Sequence, residues 1–554
     1  VVETTQQPET AAAVPHAIAH RTVWLASTIA GALTAIVAAL VFRRGTLPFE
    51  DAAILFRYSE NVAGGWGIVY NQGGERVDGA TDMLFMITQA GLITLGMPTI
   101  TAAAVLNAIG LGVLVGVVVA AWMKWSGPAA GWAAAPVALI LLGPVWLYGI
   151  SGFATMAFAG ACAAVAFVSE VAARSGRRSH LILLGVVVAI CGLERPEGFI
   201  IGGAIVLAQA VRVRSWRVLL LPLAVIVPVG LAFLAWRWSY FGYPLPNPFY
   251  KKGGGQLYPS GLKTALQAVA RTAWPVIALG AIGLAFRASR GRALMLLGLT
   301  AFWSLLWVLL SDEMNYEGRF QYPIVGVLVV LAAPLVPDVV AGLRKAFPQW
   351  RSAPEIALSA LLVLGLLTTA SAFGQPTRNV IGTDFQTQMS MPASIAQTLS
   401  EVNPSSTRIL ASSEAGYVAW QSGWSVKDLW GLNDKAIAHD GYLTVDQLEE
   451  LNPDAVFIHW CKSNQPAGIG VSGIPCLPDW EQMTDPVQCF VAKAGYVPAG
   501  LWIDAADYSW GVYLNPELED LDELKAALDR MPANGRMNTV DEGDLPPPAG
   551  GCQS

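Results

Sequence analysis

The sequence is poor in charge. Only 13% of its 554 residues are Asp, Glu, Lys or Arg, whereas 54% are hydrophobic. A soluble chain carries about 25% charged residues, so the deficit excludes a large soluble protein and points to chain solvated by lipid. Histidine is scarce as well, five in all. His439 and His459 are too few for a zinc site, and no Cys-x-x-Cys spacing occurs. There is no Walker-type phosphate loop and no Ser-His-Asp context, so ATP is not implied. The formal net charge is −6, and no basic stripe interleaved with aromatics is present. Both facts argue against nucleic acid as a partner.

What the chain has instead is long apolar runs, all before about residue 373. Each is compared with the roughly 30 Å of hydrocarbon a helix must cross. The candidates are Trp24–Phe42, Met83–Met97, Ala102–Met123, Ala129–Leu147, Phe153–Ala173, Leu181–Leu193, Phe199–Val211, Val218–Trp238, Trp274–Phe286, Ala293–Leu310, Tyr322–Leu343 and Ile356–Phe373. The first is long for a signal segment and reads as a retained span. Four loops are basic: Arg174/Arg177/Arg178, Arg212/Arg214/Arg217, Arg287/Arg290/Arg292 and Arg344/Lys345/Arg351. The positive-inside rule puts all four in the cytoplasm and the loop after the first span, with the tail, outside. Arg43 and Arg44 depart from it. Parity also requires that one of the runs at 83–97, 102–123 or 129–147 be re-entrant or partly inserted. The expectation is a polytopic α-helical membrane protein with about nine to eleven transmembrane helices.

Beyond that point the sequence becomes mixed. Strand-like Ala455–His459 follows a helical stretch at Val445–Leu451, which predicts an α/β domain. The expected organisation is a disordered tail (1–20), a membrane domain (21–373) with a first external loop (43–82), an extracytoplasmic α/β domain (374–533) and a second disordered tail (534–554). Cys461, Cys476, Cys489 and Cys552 all fall in the tail region. They predict up to two disulfides and an oxidising compartment, with three pairings open. The tail tryptophans Trp420, Trp424, Trp430, Trp460 and Trp502 can stack on carbohydrate, though a core role fits most of them.

The first loop holds the densest polar chemistry. Glu50 and Asp51 stand directly beyond the first span, before an amphipathic stretch in which Ile54, Leu55 and Tyr58 share a helical face. Neighbouring helical side chains diverge, so one carboxylate can face a site while the other supports it. Crowding and burial raise a carboxyl pKa, as a general base near neutrality requires. A plain N-terminal helix cap explains the same pair. A Gly-rich segment follows, with Gly64, Gly67, Gly73 and Gly74 around Val69-Tyr70-Asn71, and then Glu75-Arg76-Val77-Asp78-Gly79.

These residues resemble the first external loop of GT-C glycosyltransferases, and among them the arabinofuranosyltransferases of actinobacterial cell walls. Three more segments are similar, in family order: Arg195-Pro196-Glu197-Gly198, Tyr240 through Lys252 with its Pro-Leu-Pro-Asn-Pro run, and Arg319-Phe320. Two departures stand out: Glu50 replaces the usual first Asp, and Ala154 occupies an acidic position of a Ser-Gly-x-Glu-Thr pattern. The resemblance implies inverting transfer from a polyprenyl-phosphate sugar donor to a cell-envelope glycan acceptor, at the outer face of the plasma membrane. It implies Asp51, with Glu50, as base, and Arg319, Lys251, Lys252 and Arg57 as cations for the donor phosphate, where guanidinium suits a phosphodiester. It implies Arg76, Glu75, Asp78, Tyr243, Asn247, Arg195 and Glu197 as substrate-binding residues. No cofactor is required, with room left for a divalent cation, magnesium or manganese. The charged turn Glu194–Gly198 between two short apolar arms also admits another reading, a flippase of lipid-linked sugars.

Overall fold

The computed structural model describes residues 20–44, 48–127, 133–253, 257–310, 315–349, 352–381, 384–460, 478–503 and 509–531. Cys461, Cys476 and Cys552, and nearly all of both expected tails, lie outside the described residues.

Lipid offers no partner to backbone N–H and C=O groups, so each crossing closes its own hydrogen bonds as a helix. In chain order the helices are α1 (His20–Phe42), α2 (Glu50–Ala63), α3 (Met83–Thr94), α4 (Thr99–Trp125), α5 (Ala134–Leu141), α6 (Val145–Ile150), α7 (Thr155–Ser175) and α8 (Arg178–Glu194). There follow α9 (Pro196–Val213), α10 (Trp216–Phe241), the short α11 (Asn247–Gly253), α12 (Pro259–Gly283), α13 (Arg290–Leu306), α14 (Pro323–Ala332), α15 (Val336–Ala346) and α16 (Ala353–Ile381). Among the described residues, nine segments are long and apolar enough to cross a membrane: α1, α4, α7, α9, α10, α12, α13, α14 with α15, and α16. The chain is a multi-pass membrane protein.

Close helix approach rests on small residues. An added Cβ at Gly31 of α1 would fall 2.7 Å from the Gly112 carbonyl of α4, with Gly116 one turn on. Without a hydrophobic drive between helices in lipid, such backbone contact supplies the packing.

The basic loops gather at one end. Arg174 pairs with buried Glu170 at 2.6 Å, Arg212 reaches the same carboxylate at 2.9 Å, and Arg292 reaches it at 3.8 Å. Arg292 also pairs with Asp338 at 2.6 Å, and Arg344 pairs with Glu355. Arg174 lies over Trp125, so α4 ends there too. Tyr148 and Ser151 lie at the opposite end, bonded to Glu317 and Phe49. The chain therefore recrosses through α5 and α6, and α3 is the apolar run that stays on one side. Its Gln89 bonds Ser59 of α2 and the Thr99 carbonyl that opens α4. The arms on either side of Glu194–Gly198 are longer than the sequence indicates, 17 and 18 residues.

After α17 (Asp384–Val402) comes a five-stranded mixed sheet of order β2-β1-β3-β5-β4. Its strands are β1 (Ile409–Ser412), β2 (Ser425–Asp428), β3 (Ala455–Trp460), β4 (Val497–Ile503) and β5 (Ser509–Leu514). β1 pairs parallel with β2 and β3; β5 runs antiparallel to β3 and β4. Helices α18 (Tyr417–Gln421), α19 (Lys435–Asp440), α20 (Val445–Leu451), α21 (Pro478–Lys493) and α22 (Leu521–Asp529) complete the domain. Trp424, Trp460 and Trp502 are buried in its core. That core does not stop at the domain. Ile54, Leu55, Phe56, Tyr58 and Tyr70 of the first loop belong to one apolar cluster with Leu410, Val418 and Trp424.

Candidate functional site

Glu50 and Asp51 occupy the first turn of α2, where the helix dipole favours both. Their side chains part company. Glu50 is buried against the C-terminal domain, and its carboxylate accepts the N–H of Gly416 at 2.6 Å and of Tyr417 at 2.9 Å. Burial, then the nearby Glu414 carboxyl, push the Glu50 carboxyl well above its ordinary value. Asp51 instead lines a cavity of about 300 Å³. The sequence pairs the two acids; the structure separates a docking carboxylate from a cavity carboxylate.

The cavity is lined by Asp51, Asp82, Arg195, Glu197 and Arg319 together with apolar residues such as Leu245, Phe249, Leu306 and Leu310. Arg195 pairs with Asp82 at 2.9 Å and with Glu197 at 3.1 Å. The Arg319 guanidinium lies 3.5 Å from the centre of the Phe153 ring and 4.2 Å from that of Phe320. Burial pushes the Asp82 carboxyl up, against the pull of Arg195 and Arg319. The Glu194–Gly198 turn therefore sits at the site, solvated by neighbouring charges. Two guanidinium groups among apolar lining residues make a place for an anionic head with a hydrocarbon tail. A carboxylate in the same lining can take a proton from an incoming hydroxyl.

Other residues expected at the site lie elsewhere. Arg57 is held away from the cavity, donating to the Tyr70 carbonyl at 2.6 Å, Asn71 Oδ1 at 2.7 Å and the Trp424 carbonyl at 2.9 Å. It ties the first loop to the C-terminal domain, because a buried guanidinium needs several acceptors at once. Lys251 stands over the rings of Tyr442 and Trp430 at 3.6 and 4.7 Å. Tyr243 stacks on His439 at 3.9 Å. Arg76 is exposed over Tyr240, and Glu75 is exposed 3.7 Å from Lys435. Asp78 is buried in an ion pair with Arg237, and Asn247 is buried beside it. The side chain of Lys252 lies outside the described residues. Among those residues no group of three or more His, Cys, Asp or Glu side chains gathers to hold a metal, so the divalent cation finds no such donor set.

Three further polar residues at the interface were not among the expected site residues. Glu414 follows β1 and meets His459 Nδ1 of β3 at 2.9 Å; Asp428 ends β2 and accepts from the N–H groups of Trp430, Gly431 and Asn433. Burial, Asp51 and Asp428 push Glu414 well up, and burial pushes Asp428 up to about 6. All three residues lie at carboxyl ends of neighbouring strands, a grouping visible only once the sheet order is known. Arg237 was detectable in principle, as a charge at the end of an apolar run.

A family model described as a domain of unknown function (DUF8728) matches residues 379–513. No curated protein sequence matches the chain. Among solved structures, ArnT from Cupriavidus metallidurans bound to undecaprenyl phosphate is similar with a TM-score of 0.55 at 15% identity, covering 90% of this chain and 98% of that one. The oligosaccharyltransferase of Archaeoglobus fulgidus aligns at a TM-score of 0.45 and 12% identity, covering 90% and 75%. The likeness to ArnT extends along nearly the whole chain, and the protein shares that fold.

Proposed function

We propose that this protein is a membrane glycosyltransferase that moves a sugar from a polyprenyl-phosphate donor to a glycan acceptor. The observation that carries the reading is the cavity itself, which Asp51, Arg195 and Arg319 line together with apolar residues suited to a lipid tail. The shared fold with ArnT, a structure bound to undecaprenyl phosphate, supports the same donor class. Arg319 and Arg195 neutralise the phosphate, which departs with the lipid. Asp51 takes the acceptor hydroxyl's proton as the new glycosidic bond forms on the opposite face of the sugar, inverting its configuration. Glu50 holds the C-terminal domain and so keeps Asp51 in register. Asp82 and Glu197 orient Arg195. Arabinofuranose is the sugar the sequence resemblance favours, and a cell-envelope glycan the acceptor.

The arginine-rich end belongs in the cytoplasm of a plasma membrane by the positive-inside rule, with the site, the first loop and the C-terminal domain outside. Up to two disulfides among Cys461, Cys476, Cys489 and Cys552 would fit this outside compartment. The membrane domain runs to 373 and the C-terminal domain begins at 374, and the first loop shares the latter's core. The charged turn at the cavity, at one end of the bundle rather than along a path through it, favours transfer over flipping.

The test is transfer from a labelled polyprenyl-phosphate sugar by purified protein and its Asp51→Asn variant. Activity lost in a folded, membrane-inserted variant supports the reading; normal transfer overturns the base. Labelling of cysteines introduced beside Asp51 by a membrane-impermeant reagent tests the sidedness.

A further inference from the structure

The segment from Tyr243 to Lys251 touches both parts of the molecule. Leu245, Pro246, Pro248 and Phe249 line the cavity. The residues that flank them are held instead by the C-terminal domain. The His439 ring, near the end of α19, stacks on Tyr243 with centroids 3.9 Å apart and planes 14° from parallel. Its centroid also lies 4.4 Å from that of Tyr250. One imidazole therefore grips the segment at two points, one on each side of the cavity residues. Lys251, over Tyr442 and Trp430, adds a third contact with the same domain.

Both sides of that grip are stiff. Pro244, Pro246 and Pro248 fix three φ angles between the two points, and the Asn247 N–H is tied to the Asp78 carbonyl at 2.9 Å. On the other side, Asp428 accepts from the N–H groups of Trp430, Gly431 and Asn433, which sets the turn before α19. Asp434 then caps that helix by accepting the Ile437 N–H at 3.0 Å. Gly431 has φ +93°, and a Cβ there would fall 2.6 Å from Ile437 Cγ2, so only glycine lets the turn close on the helix. Leu432 of the same turn lines the cavity. Among the described residues His439 Nε2 is buried with no hydrogen-bond partner, and stacked ring faces make the joint.

A stiff segment pinned at both ends holds its middle, and the middle here is cavity lining. Cut loose, it would offer a ligand the ordered arrangement only part of the time, and apparent affinity falls by that fraction. We propose that His439 is a positioning residue for the donor site, holding Leu245 and Phe249 where they meet the lipid of a polyprenyl-phosphate donor. The inference rests on the transferase reading. It gives the C-terminal domain a part in donor binding, beyond its hold on Glu50.

Binding of undecaprenyl phosphate to the full-length protein in detergent tests it. His439→Ala should weaken binding about three- to tenfold, the span of an aromatic pair. His439→Phe keeps a flat ring and should stay within about twofold of the wild type. Tyr243→Ala removes the contact from the other side, leaves the C-terminal domain intact and carries the same expectation if His439→Ala does not fold. The double variant should be at most about twofold worse than His439→Ala, since both changes delete one contact. Turnover at saturating labelled polyprenyl-phosphate sugar should stay near that of the wild type, because bound donor recruits the ordered segment. Unchanged binding in the folded alanine variants, no recovery with His439→Phe, or losses that multiply in the double variant overturn the positioning role and leave the donor reading in place. Failure of the wild type to bind undecaprenyl phosphate overturns both.

Discussion

The two ends of the helical bundle bury the same chemistry to different effect. At the arginine-rich end, Glu170 is surrounded by Arg174, Arg212 and Arg292, and Gln209 donates to it as well. Its charge is answered within the bundle, and the cluster joins α7, α9 and α13. At the other end, Arg195 and Arg319 are held by Asp82, Glu197 and aromatic rings, and both line a cavity. Buried ion pairs are weak evidence of stability when complete, but removing one partner is expensive. The comparison teaches that a buried arginine is read by what it faces. A closed cluster fastens helices, and a cluster on a cavity wall is available to a substrate.

Four experiments would break or sharpen that contrast. Asp51→Asn, at the cavity end, should lower transfer about 10²- to 10⁴-fold with the unfolding midpoint unchanged. Labelled donor turnover and thermal unfolding in detergent check the two halves. Glu170→Gln, at the closed end, should do the reverse. Uncompensated arginines there should cost roughly 3–5 kcal/mol of stability, with transfer per folded molecule near that of the wild type. If Glu170→Gln abolishes transfer in folded protein, the two ends are not distinct in role.

A smaller effect is expected of Glu50→Ala. It leaves the N–H groups of Gly416 and Tyr417 without their acceptor, at about 1–3 kcal/mol. The C-terminal domain should loosen, seen as earlier proteolysis, and transfer should fall less than in Asp51→Asn. Equal loss in both would return Glu50 to the reacting centre.

The effect on transfer is smallest for the last test, a pH slope of stability alone. Burial pushes the Asp78 and Asp428 carboxyls up to about 6, from an ordinary value near 4. Between those values the folded chain keeps protons that the unfolded chain has released. Stability therefore falls as pH rises from about 4 to about 6 and flattens above, by up to roughly 3 kcal/mol per group. Thermal unfolding across that range should show it, with Asp428→Asn removing its share. A stability that rises over the same window would contradict both burials.

Much of this was legible in the chain. The apolar runs read as helices because lipid leaves no other solution, and the arginine loops converge as their shared sign predicts. An apolar run likewise marked one strand of the tail, read as Ala455–His459 and found as Ala455–Trp460. Asp51, Arg195, Glu197 and Arg319 were all named from short motifs, and all line the cavity. Those are local properties, set by residues near one another in sequence.

Relations between distant segments were not legible. Sequence could not divide Glu50 from Asp51, because the divider is the Gly416-Tyr417 backbone of another domain. It could not set Arg57 apart from Arg319 either, since both are motif arginines. Only packing turned one toward the Trp424 carbonyl and the other toward the cavity. Pattern along a chain reports what each stretch does to solvent. Which buried charge meets which partner depends on three-dimensional neighbours, and those arise only when the helices and the sheet close on one another.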